Sequence, residues 1–329
     1  MKKAFAAAAL TVGGVVGAGF ASGREAVIFF DGANVLSAAV FAALFFASAC
    51  FFMTRGGGDL PSLSREVFGK MCFLPLAALN VNYFVCLAAM SAGCSAVCGK
   101  AAGLLPVSAC AAAVYLGVGG VKKLSYLTVP LVIVCLAAVV LPVGEVSAAD
   151  VKIVGPMCYA AYNAVLTAGV LLPAGGALTK KQACLAAGLA AAVLFLLTLA
   201  VSAAAGQSGQ NMPLASVAAA KGLYGVYSAA LLLGMTSAMA SAAFPLCAAA
   251  EKITRDRLAA VAAVFVAAYC VGTLGFGKVM DTALPVVSAV SLAALAGFFA
   301  VSAYKKIKAR WTCLLFYIYT PASTLPPDH

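Results

Sequence analysis

The chain has too few charged side chains to cover a water-exposed globule. Of its 329 residues 9% are charged and 64% are hydrophobic, and the mean hydropathy is +1.07. A soluble domain is about 25% charged, so soluble enzyme classes are excluded first. The 21 basic residues give a net charge of +11 but lie singly between apolar runs, which excludes a continuous nucleic-acid-binding face. We therefore expect a polytopic, all-helical membrane protein.

Histidine is missing from the body of the chain, and no metal motif takes its place. The single histidine is His329, the last residue, which excludes a histidine zinc site, a Ser–His or Cys–His pair and a histidine proton relay inside the fold. The 12 cysteines form no CxxC motif, and those in apolar runs serve as small apolar residues. No GxxxxGK[ST] loop of an ATP-driven pump is present. The sequence predicts neither an enzyme nor a bound cofactor.

Apolar runs long enough to cross a bilayer recur along the whole chain. One crossing needs about 20 mostly apolar residues. Ten such runs lie near 4–30, 33–53, 73–98, 102–119, 125–143, 154–176, 182–205, 222–250, 258–276 and 282–303. The start at Met1-Lys2-Lys3 imitates a secretory signal, but no clear cleavage site follows it, so we expect the first run to stay as the first span.

The basic residues support this count. With ten spans, 16 of the 21 lysines and arginines fall on one side of the membrane, which we call the basic side, and 5 on the other. Lysine and arginine are retained on the cytoplasmic face, so both termini are predicted to be cytoplasmic. We expect residues 1–304 to form a single transmembrane domain. Residues 305–329 are predicted to be a basic tail with an interfacial segment from Trp311 onwards.

Glycines are concentrated in the first span. It holds Gly13, Gly14, Gly17, Gly19 and Gly23. Their small-xxx-small spacing is typical of tight helix packing. It also fits an unwound stretch, which the membrane tolerates where the backbone lines a cavity or is buried in protein. The length of the span favours two half-helices over one straight helix.

A second interrupted helix is predicted in the sixth span. Pro173 lacks the helix donor and Gly169 loosens the turn before it. Asn163 and Thr167, four residues apart, lie on one face. Short or glycine- and proline-interrupted spans in corresponding halves are typical of transporters built from repeats.

The two interruptions lie half a chain apart. The dipeptide Ala-Gly at 18–19 recurs at 168–169, 150 residues and five predicted spans later. Because five is odd, the second half enters the membrane from the opposite side. The sequence thus predicts an inverted repeat, with one unit over about 4–143 and the other over about 154–303.

The first interruption also resembles a known signature. The run Val15-Val16-Gly17-Ala18-Gly19-Phe20-Ala21-Ser22-Gly23-Arg24-Glu25 is similar to the N-terminal signature of the YkvI-like bacterial membrane proteins. That group looks like a remote branch of the amino acid–polyamine–organocation superfamily. The resemblance implies the LeuT-type fold of two inverted five-helix repeats, in a bacterial cytoplasmic membrane.

In that fold the ends of the broken first and sixth spans face a central solute site. The resemblance implies a site lined by Gly17, Ala18, Gly19, Phe20, Ser22, Asn163, Thr167 and Gly169. Tyr83 on the third span is a further candidate wall residue. Its alternative role is a hydrogen bond between helices.

Two rival sites are predicted for a coupling cation. Folds of this type hold sodium between first-span carbonyls and eighth-span hydroxyls, which implies Thr236, Ser237 and Ser241 here. Those hydroxyls can instead bond back to their own helix. Glu25 is the candidate proton carrier, unless it lies solvated at the outer mouth beside Arg24.

The leading hypothesis is a secondary active transporter of a small organic solute, such as an amino acid or a related organic ion. Transport would proceed by alternating access and be coupled to sodium or, as the rival, to protons. The alternative is a non-transporting receptor or structural membrane protein on the same scaffold. The expected partners are the lipid bilayer and the solute; the oligomeric state is not predicted.

Overall fold

The protein is built from helices. A computed structural model describes residues 1–141, 151–206 and 212–319, and within those ranges it contains no strand. The helices are α1 (Lys2–Val15), α2 (Ala18–Ser22), α3 (Arg24–Phe30), α4 (Val35–Thr54), α5 (Leu60–Phe68), α6 (Phe73–Cys98), α7 (Leu104–Tyr115), α8 (Val118–Val140), α9 (Val154–Gly175), α10 (Lys180–Ala205), α11 (Pro213–Ala220), α12 (Tyr224–Thr254), α13 (Arg257–Gly272) and α14 (Phe276–Tyr319). The predicted all-helical class is confirmed.

Many of the helices are suited to a lipid environment. In the described ranges seven helical stretches are long and apolar enough to cross a membrane, formed by α4, α5–α6, α8, α9, α10, α12 and α14. The shorter apolar helices α7 and α13 and the interrupted segment α1–α3 lie at the other predicted spans. Large apolar side chains such as Leu105, Leu127 and Leu196 are exposed, as lipid contact requires. The chain is a multi-pass membrane protein, and the count of ten spans stays a prediction.

Two helices lie at the centre of the molecule. In the most apolar stretch of α9, 83% of the residues are buried, and in that of α12, 78%; the other five stretches reach 33–50%. Helix α9 packs against α4 and α14, and α12 packs against α6 and α8. Helix α1 contacts both central helices as well as α8 and α10. The interrupted first segment therefore lies between the two buried helices.

Ion pairs agree with the predicted sides of the membrane. Arg24 pairs with Asp281, with 2.8 Å between Nη2 and Oδ1, and Lys152 pairs with Asp31. With ten spans, all four residues lie on the side opposite the basic side. On the basic side, Lys252 Nζ lies 3.2 Å from Asp59 Oδ2. Each pair therefore joins residues that the ten-span count places on the same side.

The C-terminal helix is longer than predicted. The sequence places the tenth span near 282–303, whereas α14 runs from Phe276 to Tyr319. After Pro285 no proline occurs before Pro321, and Gly297 is the only glycine between them, so the basic stretch at 305–310 continues the helix. The predicted interfacial tail therefore begins as part of α14, and residues 320–329 lie outside the described ranges.

Candidate functional site

The first segment is interrupted twice. Helix α1 ends at Val15, and Val16 and Gly17 leave the helical conformation before α2 begins at Ala18. Gly23 then separates α2 from α3 with φ of +81°, a left-handed conformation that favours glycine. The Ser22 hydroxyl donates to the Gly19 carbonyl over 3.0 Å and accepts from the Arg24 backbone N–H over 3.2 Å. The predicted discontinuity is confirmed, and Ser22 stabilises its turn.

The glycines of the first span also allow close helix packing. A Cβ on Gly13 would lie 2.7 Å from Val129 Cγ2. A Cβ on Gly17 would lie 2.9 Å from both Ala238 Cβ and Met90 Sδ. Real Cβ atoms do not approach other atoms so closely, so these positions need glycine. Packing and interruption, the two interpretations of this glycine-rich run, both hold.

Glu25 is buried beside the second interruption. Its side chain is folded back against Gly19, where any Cβ would overlap the carboxylate. The Tyr159 hydroxyl of α9 donates to Glu25 Oε2 over 2.7 Å, and the residue is only 2% exposed. Among the described residues no lysine or arginine pairs with this carboxylate. The membrane interior thus holds a carboxyl group whose observed partner is a neutral hydroxyl.

The neighbouring Arg24 does not neutralise Glu25. Its Nε and Nη2 donate to Asp281 Oδ1 of α14 over 3.1 and 2.8 Å. Arg24 and Glu25 therefore point in different directions from adjacent positions on α3. The alternative in which both lie solvated at the outer mouth is wrong for Glu25, because α9 and the folded-back segment cover it.

The predicted break in the sixth span is not present. Helix α9 is continuous from Val154 to Gly175, with Pro173 inside its last turn. Pro173 lacks only the hydrogen bond to the carbonyl four residues earlier, and the helix ends two residues after it. The expectation of two half-helices at Gly169 is therefore corrected to one continuous, deeply buried helix.

A side chain from α6 nevertheless enters α9 at the predicted position. The Tyr83 hydroxyl of α6 donates to the Val165 carbonyl of α9 over 2.9 Å. A Cβ on Gly169 would lie 3.2 Å from the Tyr83 oxygen and 2.7 Å from Pro245. Gly169 therefore leaves space for the Tyr83 hydroxyl and for Pro245, and it does not interrupt the helix.

A cavity of about 320 Å³ begins at Tyr83. Tyr83, Gly169 and Pro245 lie at one end of its lining, and Asn80 adds a polar group. The lining also includes basic-side residues, among them Arg65 and the Lys252–Asp59 pair. The cavity therefore extends from the buried centre towards the basic side, between α5, α6, α9 and α12.

The structure divides the predicted solute-site residues into two groups. Tyr83 and Gly169 line the cavity. The others that can be assigned lie around the interruption or inside the helix contacts: Gly17, Gly19, Phe20, Ser22, Asn163 and Thr167. The side chain of Ala18 lies outside the described part. Thr167 bonds back to the Asn163 carbonyl over 2.9 Å, whereas Asn163 Oδ1 is buried without a hydrogen-bond partner.

The three predicted cation ligands of α12 differ in their contacts. Thr236 and Ser241 bond back to carbonyls of their own helix over 2.7 and 3.3 Å. Ser237 instead lies 3.0 Å from the Ser125 hydroxyl of α8, beside Gly13. Sequence reasoning missed Ser125, and it missed Tyr159 as the partner of Glu25. Each pairing joins residues more than 100 positions apart, and no local pattern marks it.

Comparison with known proteins gives one class of match. No protein-family model and no curated protein matches the chain. Among the solved structures, the chain is similar to a nucleobase-cation-symport-1 family transporter in a closed conformation with bromovinylhydantoin bound. The TM-score is 0.58 at 13% identity, over 91% of this chain and 78% of the other. This likeness shows a shared fold, that of the LeuT-type transporters, and leaves the YkvI-like resemblance a prediction.

Proposed function

We propose that the protein is a secondary active transporter of a small organic solute, such as an amino acid or a related organic ion. The observation that carries the proposal is the cavity that ends at Tyr83 and Gly169, between the two most buried helices. The interrupted segment α1–α3 contacts both of these helices, and irregular backbone inside a membrane is tolerated beside cavities or within protein. The fold shared with a solute symporter supports the same function.

The dimensions and contacts of the cavity favour a small solute. Ligand sites usually measure about 300–1,000 Å³, so a volume of about 320 Å³ suits a molecule of amino-acid size. The basic-side end holds Arg65 and the Lys252–Asp59 pair. On the opposite side, the Arg24–Asp281 pair joins α3 to α14. This arrangement fits one state of an alternating-access cycle, with the solute path extending towards the basic side.

Sodium is the coupling ion that we favour, with Ser237 and Ser125 as its hydroxyl ligands. The two oxygens lie 3.0 Å apart on different helices. The Val16 carbonyl, at the first interruption, approaches α12 at Gly234, where a Cβ would lie 2.7 Å from its oxygen. Hydroxyl and carbonyl oxygens are ligands suited to a hard cation. Thr236 and Ser241 are the remaining candidates on α12.

A thermal-shift measurement tests this assignment without a known solute. Sodium chloride, compared with choline chloride at equal ionic strength, should raise the unfolding temperature because bound ions stabilise the native state. Ser237→Ala should lose most of the sodium-induced shift. Ser228→Ala is the matched control, since Ser228 is partly exposed on the same helix and its hydroxyl donates to the Tyr224 carbonyl of that helix. An unchanged shift in Ser237→Ala would refute the sodium site.

Proton coupling through Glu25 is the second candidate, and its burial favours it. A carboxyl group that is 2% exposed and bonded to Tyr159 is a functional candidate inside a membrane. If Glu25 carries the proton, uptake by Glu25→Gln will be independent of pH, while Tyr159→Phe will keep a shifted pH dependence. Glu25→Gln vesicles that retain the wild-type pH profile would eliminate this role.

The receptor alternative differs in one observable. A receptor on this scaffold would bind a solute in the same cavity without moving it. Small metabolites that raise the unfolding temperature of the purified protein identify ligands. Flux of such a ligand into proteoliposomes then favours the transporter, and saturable binding without flux favours the receptor.

A further inference from the structure

A second cavity lies on the opposite side of the molecule from the basic side. It measures about 210 Å³ and lies between the end of α6, the end of α13 and the start of α14. Its polar lining residues are Ser91, Ser95, Lys100, Tyr269 and Thr273. It shares no lining residue with the cavity at Tyr83, so it does not depend on the proposed transport function.

The lining of this second cavity is rich in hydrogen-bond donors and has no acid. Lys100 is exposed and carries the positive charge. Gly275 and Phe276 line the cavity where α14 begins. The first backbone N–H groups of a helix have no hydrogen-bond partner within the helix, and they favour anions. The nearest carboxylate along α14, that of Asp281, is engaged by Arg24.

One hydroxyl in this lining is buried and has no hydrogen-bond partner. Ser91 is 2% exposed, and its Oγ is buried without a hydrogen-bond partner. A serine inside a helix normally bonds back to a carbonyl of the preceding turn, as Ser95 does to Ser91 over 3.2 Å. A buried polar group without a partner destabilises the fold, because its lost hydration is not replaced. A ligand oxygen in the cavity would satisfy it.

We propose that this cavity binds a phosphate-bearing anion, held by the Lys100 ammonium, the Ser91 hydroxyl and the first backbone N–H groups of α14. Its volume is below the usual range for a whole organic ligand but sufficient for a phosphate group. Lys100 and Tyr269 are typical of the depth at which lipid headgroups lie. An anionic glycerophospholipid could therefore place its phosphate here and leave its acyl chains outside, while free phosphate offers the same chemistry.

Thermal unfolding of the purified full-length protein tests the proposal. The protein is titrated with dioctanoyl-phosphatidylglycerol, with inorganic phosphate at constant ionic strength, and with uncharged dioctanoylglycerol. At least one phosphate-bearing probe should raise the unfolding temperature, and dioctanoylglycerol should not. A response to phosphatidylglycerol alone assigns the site to lipid, and a response to inorganic phosphate assigns it to a free anion.

The variants connect that response to this cavity. Lys100→Gln and Ser91→Ala should each weaken the apparent affinity for the phosphate probe about tenfold, because charge-assisted hydrogen bonds are lost. Lys152→Gln is the control; it removes the same charge from the same side of the membrane, at an exposed residue outside the lining. Equal effects of Lys100→Gln and Lys152→Gln on this affinity, or equal stabilisation by dioctanoylglycerol, would overturn the proposal. Affinity is compared through the titration midpoint, so a loss of basal stability in Ser91→Ala does not obscure it.

Discussion

The segment α1–α3 and helix α9 contain similar sequence features but adopt different backbone conformations. Both carry glycine where a break was expected, and α9 adds Pro173. The first segment leaves the helical conformation at Val16–Gly17 and again at Gly23, whereas α9 remains helical from Val154 to Gly175. Gly23 uses a left-handed backbone; Gly169 stays helical and provides space for the Tyr83 hydroxyl and for Pro245. At the Gly23 interruption the Ser22 hydroxyl accepts from the Arg24 N–H, whereas the backbone of α9 stays helical at Gly169.

The comparison also separates two functions of the missing Cβ. Around Gly19 the space is filled by the carboxyl group of Glu25 from the next turn of the same segment. Around Gly169 it is filled by side chains from other helices. Substitutions at these two positions should therefore disturb different things: a buried charge-bearing group in one case and helix packing in the other.

The largest effect is expected at Gly19. A Cβ there overlaps Glu25, so Gly19→Val must displace the carboxyl group from Tyr159 and should destabilise the protein by about 3 kcal/mol. Uptake should be abolished. Gly188→Val is the control, because a Cβ at Gly188 makes only an ordinary contact, 3.8 Å from Phe46. Measured unfolding free energies that are equal for the two variants would show that the Glu25 pocket is not tightly packed.

Gly169→Ala should have a smaller effect of the same sign. Crowding against Pro245 costs about 1–3 kcal/mol, and the better helix propensity of alanine offsets about 1 kcal/mol of it. We expect net destabilisation with reduced uptake. Gly188→Ala, which gains the propensity without the crowding, should be stabilising. If Gly169→Ala stabilised the protein, Pro245 and Tyr83 would not pack tightly against α9 at this position.

Tyr83→Phe removes the hydroxyl group and leaves the aromatic ring in place. Loss of its hydrogen bond to Val165 should cost about 1 kcal/mol. The solute should still be transported, with a raised KM if the hydroxyl contacts it and an unchanged KM if it serves only α9. Amide hydrogen exchange at residues 165–169 should become faster, because this part of α9 loses a hydrogen bond that holds it to α6. Unchanged exchange would show that the hydroxyl does not stabilise α9.

An effect of similar size, which depends on pH, is expected at the basic-side end of the cavity. Burial alone raises the pKa of the Asp59 carboxyl, but hydrogen bonds from Ser62 and the Lys252 ammonium lower it below its usual value of 3.8. A depressed carboxyl pKa stabilises the fold at neutral pH and stops doing so as the pH falls through the depressed value. Asp59 also caps α5, so Asp59→Ala should cost about 1 kcal/mol. The difference in unfolding temperature from wild type should shrink only below pH 3.8; a difference that is constant down to pH 3 would be the wrong outcome.

The sequence predicts the class and the first interruption well, because both depend on local composition. Apolar runs and the glycines before Glu25 are visible in the chain itself. The predicted break in α9 was wrong, because the effect of Gly169 and Pro173 on the helix depends on the side chains that pack against them. Tyr159 and Ser125 could not be found because their partners, Glu25 and Ser237, lie on distant helices. Tertiary contacts decide whether a polar membrane residue is paired, and one sequence does not contain them.

Solute counterflow through the cavity at Tyr83 tests the central claim most directly. Proteoliposomes are loaded with unlabelled amino acids, nucleobases or organic amines, and accumulation of the matching radiolabelled pool is followed. We predict accumulation above that of empty liposomes for the wild type and for Ala262→Trp, which adds the same bulk at an exposed position. Ala248→Trp, which fills the cavity lining, should abolish it. Equal accumulation by both tryptophan variants, or none by the wild type from any pool, would contradict the account.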